Sequence, residues 1–454
     1  MPAAAPWAGA CPLGRSVSPA LCRYGAGLPE FTLSEAEGPA GPTALYGGAA
    51  TMTSSQADAF FISALRQSGI QALDWVLRFA QDTDPSSPEH GGIRNVYHPL
   101  RREFRRGGHG LCLTWSACLA GFASLSAYDL TGDPFYLDRV RLIGQYVKSN
   151  QNLDLSDSLR RGAFVVSRDR RFVDVPDGSW AGNLFLHLYR RTREQEYLDR
   201  AKLAADWLLR QARMPHGGFT TFYLLDKEQP VAYSHGSDGQ HGLFLANLHQ
   251  ETREERYVEP LPPLADMLSG PGQHPRGPYY ASLRADGTPV FEGWDEKEGH
   301  PLVDGIEKTV TGPRQNYYAA RFLVEQHQRD GNERYLESAR RCAEWSLDLF
   351  HREGYFPEWL TLNDQGAWQP DGAVDVASPG AMTRLWLALH QVEDDPRWLE
   401  ACREVSAWTL RWQRHQPHHP DLHGAILAQP LVVAYYVSFA AWGLLELAQY
   451  LGRL

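Results

Sequence analysis

The sequence predicts an all-α fold, an (α/α)6 toroid of six helical hairpins with short β-hairpin loops at one mouth. Three observations carry that prediction. One amphipathic unit recurs along the chain, helical segments alternate between amphipathic and almost wholly apolar, and the connections alternate between short polar corners and long loops. Such a recurrence dictates architecture, because each unit must bury its apolar stripe against its neighbours.

The unit has a large aromatic residue at its start and a large apolar residue ten positions on, within one broad helical face. LTGDPFYLDRVRLIGQYV carries Tyr136 and Tyr146, REQEYLDRAKLAADWLL carries Tyr197 and Trp207, and REERYVEPLPPLADML carries Tyr257 and Met267. GNERYLESARRCAEWSL carries Tyr335 and Trp345, and DDPRWLEACREVSAWTL carries Trp398 and Trp408. A helix around Ile62 to Gln81, with Trp75, supplies a sixth. Starts recur roughly 60 to 80 residues apart, too long for a TPR or HEAT unit and right for two helices plus a long loop.

Taken in order, the first helices of the pairs are expected over 60–81, 134–149, 195–213, 255–269, 333–352 and 396–415. The second helices are expected over 109–130, 179–191, 239–251, 314–329, 379–392 and 431–450. Corners from one pair to the next are short and polar: TGD, TREQ, TREE, RDGN and EDDP. Loops within a pair are long and read as small hairpins: GAFVVSRDRRFVDV, GGFTTFYLLDKEQPVAYS, GPYYASLRADGTPVFEG and GYFPEWLTLNDQGAWQP. Because every long loop runs from a first to a second helix, all of them gather at one end. The second helices, as in LCLTWSACLAGFASLSAY and LVVAYYVSFAAWGLLELA, are the more apolar and form the inner layer. A funnel follows, with its mouth at the N-terminal turns of the inner helices, and an active site belongs there.

Residues 1–51 are rich in Ala, Gly and Pro and lack helical periodicity, so they read as a disordered or non-essential extension, with the toroid over 52–454. A net charge of -10 excludes nucleic acid and anionic membrane as general partners. No run of about 18 apolar residues can span a membrane, and a cytoplasmic location is the expectation. The six cysteines show no CxxC spacing and read as reduced and structural.

From Met52 onward, the helix count, the loop asymmetry and the corner phrase YDLTGDPFYL resemble the six-hairpin glycosidase superfamily. Within it, DGSWAGNLFLHLYRRTREQEYLDRA looks like the region of the unsaturated glucuronyl and rhamnogalacturonyl hydrolases in which an Asp opens the fourth helix as general acid and base; Asp177 occupies that position. LLDKEQPVAYSHGSDGQHGLFLANL shares their layout of hairpin, histidine and Asp before the sixth helix but lacks their Ala-Arg-Gly-Gln-Ala-Trp run. The superfamily also resembles the N-acylglucosamine 2-epimerases, which implies inner-helix histidines for proton transfer.

The residues themselves point the same way. Asp177 and Asp238 lie 20 and 19 residues before Tyr197 and Tyr257, at matched places in consecutive repeats. Paired carboxylates suit glycosidic cleavage, one protonating the leaving oxygen and the other activating water or attacking carbon. The competing reading is that each Asp is an ordinary helix N-cap. His235 and His241 bracket Asp238 and are candidates for binding substrate or moving a proton. RNVYHPLRREFRRGGHG concentrates arginines on an acidic protein, and with Arg94 and His109 it would select an anionic ligand. Arg314, Asn316 and Tyr317 begin the eighth helix at the mouth, and Glu292, Asp295, Glu296, Glu298 and Asp304 precede them as an acidic run. Trp115, Trp180, Trp294, Trp359 and Trp386 are candidate stacking platforms for sugar rings.

The reading is a glycoside hydrolase of an acidic, uronyl or unsaturated-uronyl oligosaccharide, needing no metal and no cofactor. A histidine-dependent sugar epimerase is the alternative, followed by a polysaccharide lyase or a non-catalytic saccharide binder.

Overall fold

The computed structural model describes residues 54–106, 111–167, 172–225, 228–230, 234, 236, 238–290, 309–362, 368–427 and 431–453. Six helical hairpins follow one another: α1 (Ser54–Trp75) and α2 (Thr114–Thr131), α3 (Pro134–Ser149) and α4 (Val175–Thr192), α5 (Gln195–Gln211) and α6 (Gly239–Thr252), α7 (Leu261–Ser269) and α8 (Pro313–Asp330), α9 (Glu333–Glu353) and α10 (Ser378–Glu393), and α11 (Pro396–Arg411) and α12 (Ala434–Leu451). The even-numbered helices form the inner ring, each packed on the next, and α12 returns to α2 to close it. The odd-numbered helices form the outer layer. The chain is the predicted (α/α)6 toroid.

The corners explain the sharp helix ends. After α2, Gly132 takes the left-handed conformation, Asp133 accepts a hydrogen bond from the Phe135 N–H at 2.9 Å, and Pro134 opens α3. Asn332 and Asp395 cap α9 and α11 in the same way. At two corners the left-handed position holds an arginine instead, Arg193 (φ 61°) and Arg253 (φ 59°).

One outer helix departs from expectation. The segment over 255–269 begins as a short 3-10 turn, Glu255–Tyr257, and α7 starts only at Leu261. Pro260 lacks the N–H that a continuous helix needs, whereas Pro262 is tolerated in the first turn of α7. The repeat aromatics are buried between the layers as predicted, from Tyr136 to Trp408. Several also use their polar edge: the hydroxyls of Tyr136, Tyr257 and Tyr335 donate to Asp74, Asp206 and Asp266 on neighbouring outer helices.

Among the described residues, nine short strands lie on the long loops: β1 (Val96–His98), β2 (Glu103–Phe104), β3 (Phe172–Asp174), β4 (Phe222–Leu224), β5 (Gln229–Pro230), β6 (Thr309–Thr311), β7 (Pro357–Leu362), β8 (Trp368–Val374) and β9 (Val432–Val433). They form antiparallel sheets ordered β2-β1-β9, β3-β4-β5 and β6-β7-β8. Each sheet therefore joins the loops of two neighbouring hairpins, with Val96 opposite Val433 tying the first to the last. In the loop GAFVVSRDRRFVDV, expected as a small hairpin, strand β3 pairs with β4 of the next loop.

Aromatic rings from four inner helices, α2, α4, α8 and α12, meet inside the ring. Phe122 stacks on Trp442 at 5.0 Å, Trp180 meets Tyr318 edge-on at 5.0 Å, and Phe439 touches Trp180 and Tyr317. Among the described residues no helix is long and apolar enough to cross a membrane.

Candidate active site

The mouth carrying the three sheets is where the inner helices begin. Asp177 lies in the first turn of α4 and Asp238 immediately before α6, and each is only 1% exposed. The N-cap position is ruled out for Asp177 alone, since Asp238 does hold the N-cap position of α6. Helix α4 opens two residues earlier, at Val175, with Asp174 in the N-cap position, and the Asp238 side chain makes no capping bond. One Asp238 oxygen instead accepts from the Phe219 N–H at 3.2 Å. Burying a carboxylate is costly unless its charge is supported by hydrogen bonds or a partner.

A histidine links these two helix starts. His241 is fully buried, with Nδ1 2.7 Å from the Ser179 Oγ of α4 and Nε2 3.8 Å from the Asp238 carboxylate. The serine hydroxyl and Nδ1 share a hydrogen bond, whereas the Asp238 carboxylate lies beyond hydrogen-bond distance of Nε2. Asp177 acts across to the next inner helix: burial first, then its charge, push the Cys118 thiol well above its ordinary pKa.

A second polar cluster spans α8, α10, α12 and β7. Arg314 pairs with Asp375 at 3.1 Å and lies against the rings of Tyr435 and Tyr436, 5.1 and 5.2 Å away. Asp375 also accepts from the Ala377 N–H and the Ser378 hydroxyl. Burial works against the Arg314 charge, but Asp375, the two tyrosines and Glu358 outweigh it and hold the guanidinium well above its usual pKa. Tyr436 donates to Glu358 at 2.6 Å, and burial keeps both tyrosines protonated far beyond neutral pH. Trp115 meets Tyr435 at 4.3 Å.

The structure thus brings Asp177, Asp238 and His241 together at two adjacent helix starts, and Arg314 and Trp115 into a second group at the same mouth. Other predicted residues have different tasks. Arg94 donates to the carbonyls of Phe79 and Ala80 and packs on Phe104. Arg102, from the same arginine-rich loop, pairs with Asp421. Asn316 is spent on the loop before α8, accepting from the Tyr279 N–H and donating to Thr311 and Gly312. Trp386 is fully buried and donates to the Ala343 carbonyl of α9, so it faces the outer layer and offers no platform. Trp180 and Tyr317 line a cavity that opens at the opposite end of the ring, a correction to their expected place at the mouth. Trp359 is half-buried on β7, its ring against Gly312. His109, His235, Trp294 and the acidic residues Glu292, Asp295, Glu296, Glu298 and Asp304 lie outside the described residues.

Sequence reasoning passed over Asp375, Glu358, Tyr435 and Tyr436. For Asp375 a signal was present: FVDV and AVDV precede the fourth and tenth helices, placing Asp174 and Asp375 at matched positions. Among the described residues no cluster of His, Cys, Asp and Glu could hold a metal ion.

No family model matches the chain, and no curated protein matches it. Solved structures do. A family 76 glycoside hydrolase from a bovine Bacteroides thetaiotaomicron strain is similar with a TM-score of 0.62 and 16% identity, over 85% of this chain and 78% of that one. The cellobiose 2-epimerase of Spirochaeta thermophila is similar with a TM-score of 0.64 and 15% identity, over 88% of this chain and 99% of that one. An unsaturated glucuronyl hydrolase from a Bacillus species, responsible for glycosaminoglycan degradation, is similar with a TM-score of 0.62 and 14% identity, over 84% and 96%. At such identities the likeness is one of fold, the (α/α)6 toroid.

Proposed function

We propose that this chain is a carbohydrate-active enzyme working at the mouth where its inner helices begin, and that it hydrolyses a glycosidic bond in an acidic oligosaccharide. The observation that carries this reading is the pair of buried carboxylates, Asp177 and Asp238, at the starts of adjacent inner helices. Asp177 is the general acid and base. Asp238, held by the Phe219 N–H, assists it and orients His241. Trp115 offers an aromatic face for the sugar ring, and the N–H groups that Arg314 does not give to Asp375 are donors for a uronyl carboxylate. The fold neighbours include both a uronyl hydrolase and an epimerase, which fits a sugar substrate for this chain.

A second reading rests on the Ser179–His241–Asp238 chain. A buried imidazole held by a serine hydroxyl at one nitrogen, with a carboxylate 3.8 Å from the other, is placed for proton transfer, as a sugar epimerase requires. The two readings separate in one experiment. Product analysis on neutral and uronic-acid-containing saccharides is run with wild type, Asp177→Asn and His241→Gln, with circular dichroism checking the fold. Hydrolysis of a uronyl substrate that falls by about 10²-fold or more in Asp177→Asn supports the first. Interconversion of a free sugar that survives Asp177→Asn and is lost in His241→Gln replaces it with the second.

A further inference from the structure

We propose that Ser179 is a positioning residue: it holds the proton of His241 on Nε2, and so makes this histidine a support for Asp238 and not a base. The inference rests on the reading of the mouth as a carboxylate-driven active site, and it gives a task to a side chain that reading leaves idle.

The serine is set apart by where its hydroxyl goes. At the buried helical positions Ser124, Ser269, Ser346 and Ser438, the hydroxyl donates to the carbonyl four residues back in its own helix. Ser179, near the start of α4 and 1% exposed, makes no such bond. Among the described residues its Oγ has one hydrogen-bond partner, Nδ1 of His241 across on α6, at 2.7 Å.

A single partner fixes the direction of the bond. A hydroxyl has one hydrogen to place. If Oγ donates to Nδ1, that hydrogen is satisfied and the imidazole proton stands on Nε2. If Nδ1–H donates to Oγ instead, the serine hydrogen is left in the protein interior without an acceptor, which is the costly way to make a hydrogen bond. An imidazolium meets the same objection, because its Nδ1 also carries a proton. The ring has little freedom to turn away. His241 is fully buried with its imidazole against the Phe219 ring, centroids 4.8 Å apart, and the N–H of the same Phe219 donates to Asp238. Turning the imidazole over would put a carbon against the serine oxygen and lose the bond.

With Nδ1 taking the serine hydrogen and Nε2 carrying its own, neutral His241 has no lone pair left with which to accept a proton. Its Nε2 stands 3.8 Å from the Asp238 carboxylate, too far for a hydrogen bond and close enough for the N–H dipole to favour the negative charge. The opposite tautomer would turn a lone pair towards that charge. Ser179 therefore acts through His241 on Asp238.

Nitrogen-15 NMR of the full chain, labelled at its histidines, tests this without any substrate. Wild type, His241→Gln and Ser179→Ala are compared at neutral pH, with equal melting temperatures verifying the fold. Either variant picks out the His241 ring, by losing its signals or by moving them. Expected in wild type is a proton on Nε2 and a bare Nδ1 whose resonance carries the upfield displacement of a hydrogen-bonded lone pair; in Ser179→Ala that displacement is lost. A proton on Nδ1 in wild type, or an Nδ1 resonance that stays put in Ser179→Ala, overturns the proposal. For a saccharide that wild type hydrolyses, kcat of Ser179→Ala is expected to fall about tenfold or more with KM within about twofold, and an unchanged kcat removes the serine from the machinery. Absence of hydrolysis by wild type counts against the reading of the mouth and leaves the spectral result standing, so the two failures are told apart.

Discussion

Neutralising Asp375 is the sharpest test of how the active-site mouth is held together. Its carboxylate is fully buried, 3.1 Å from an Arg314 side chain that is itself only 12% exposed. With an effective dielectric constant of about 20, that distance corresponds to roughly 5 kcal/mol of attraction, offset in large part by the cost of taking both charges out of water. The asymmetry matters more than the net value. Asp375→Asn keeps the shape and an oxygen for the Ala377 N–H, but it leaves the guanidinium buried without an anion in contact, and the expected loss of stability is about 3 kcal/mol. Arg314→Met leaves the carboxylate unmatched and is expected to cost about 2 kcal/mol, less because Ala377 and Ser378 still donate to it. The double variant removes both charges and should cost at least about 1 kcal/mol less than the sum of the singles. Urea denaturation of the four proteins at neutral pH measures all three quantities. An Asp375→Asn protein within about 0.5 kcal/mol of wild type, or a strictly additive double variant, would refute the claim that the two charges depend on each other.

The other stability predictions concern acid and the corners. His187 has a folded pKa of about 3 against an ordinary value of 6.5, so only the unfolded chain takes up its proton between those values. Its contribution is intact above pH 6.5, and the penalty grows as pH falls towards 3, reaching roughly 2 kcal/mol at pH 5. Melting curves of His187→Gln should therefore lose less stability than wild type between pH 7 and about 4, and parallel curves would contradict the shift. Arg193→Gly and Arg253→Gly relieve left-handed backbone at exposed corners and should each stabilise by about 0.5–1 kcal/mol, read as raised melting temperatures; a lowered one would mean that the arginine side chain matters more than its backbone.

Local patterns were sufficient for the frame of this molecule. Apolar spacing gave the twelve helices, the corner phrases gave their ends, and the uniform sense of the long loops placed the sheets at the inner-helix starts. The repeat aromatics read as core and are core. Those signals are legible because they arise within a few turns of chain: an Asp-Pro pair caps and opens α3 wherever it is placed. What the tertiary structure alone decided is the rotation of each inner helix about its own axis. Most outer helices advertise a buried side by contrast with a wet side, whereas inner helices such as α2 and α12 are covered nearly all round, so their sequences hold little mark of which side faces the axis. That rotation is fixed by close approaches between distant segments, such as Gly380, where a Cβ would come within 2.1 Å of the Phe439 carbonyl oxygen. It sends Trp180 to the far cavity and Trp386 to the outer layer, and brings Asp375 beneath Arg314. The residue types available for chemistry were written in the sequence; the packing of glycine against backbone across the ring determined which of them meet.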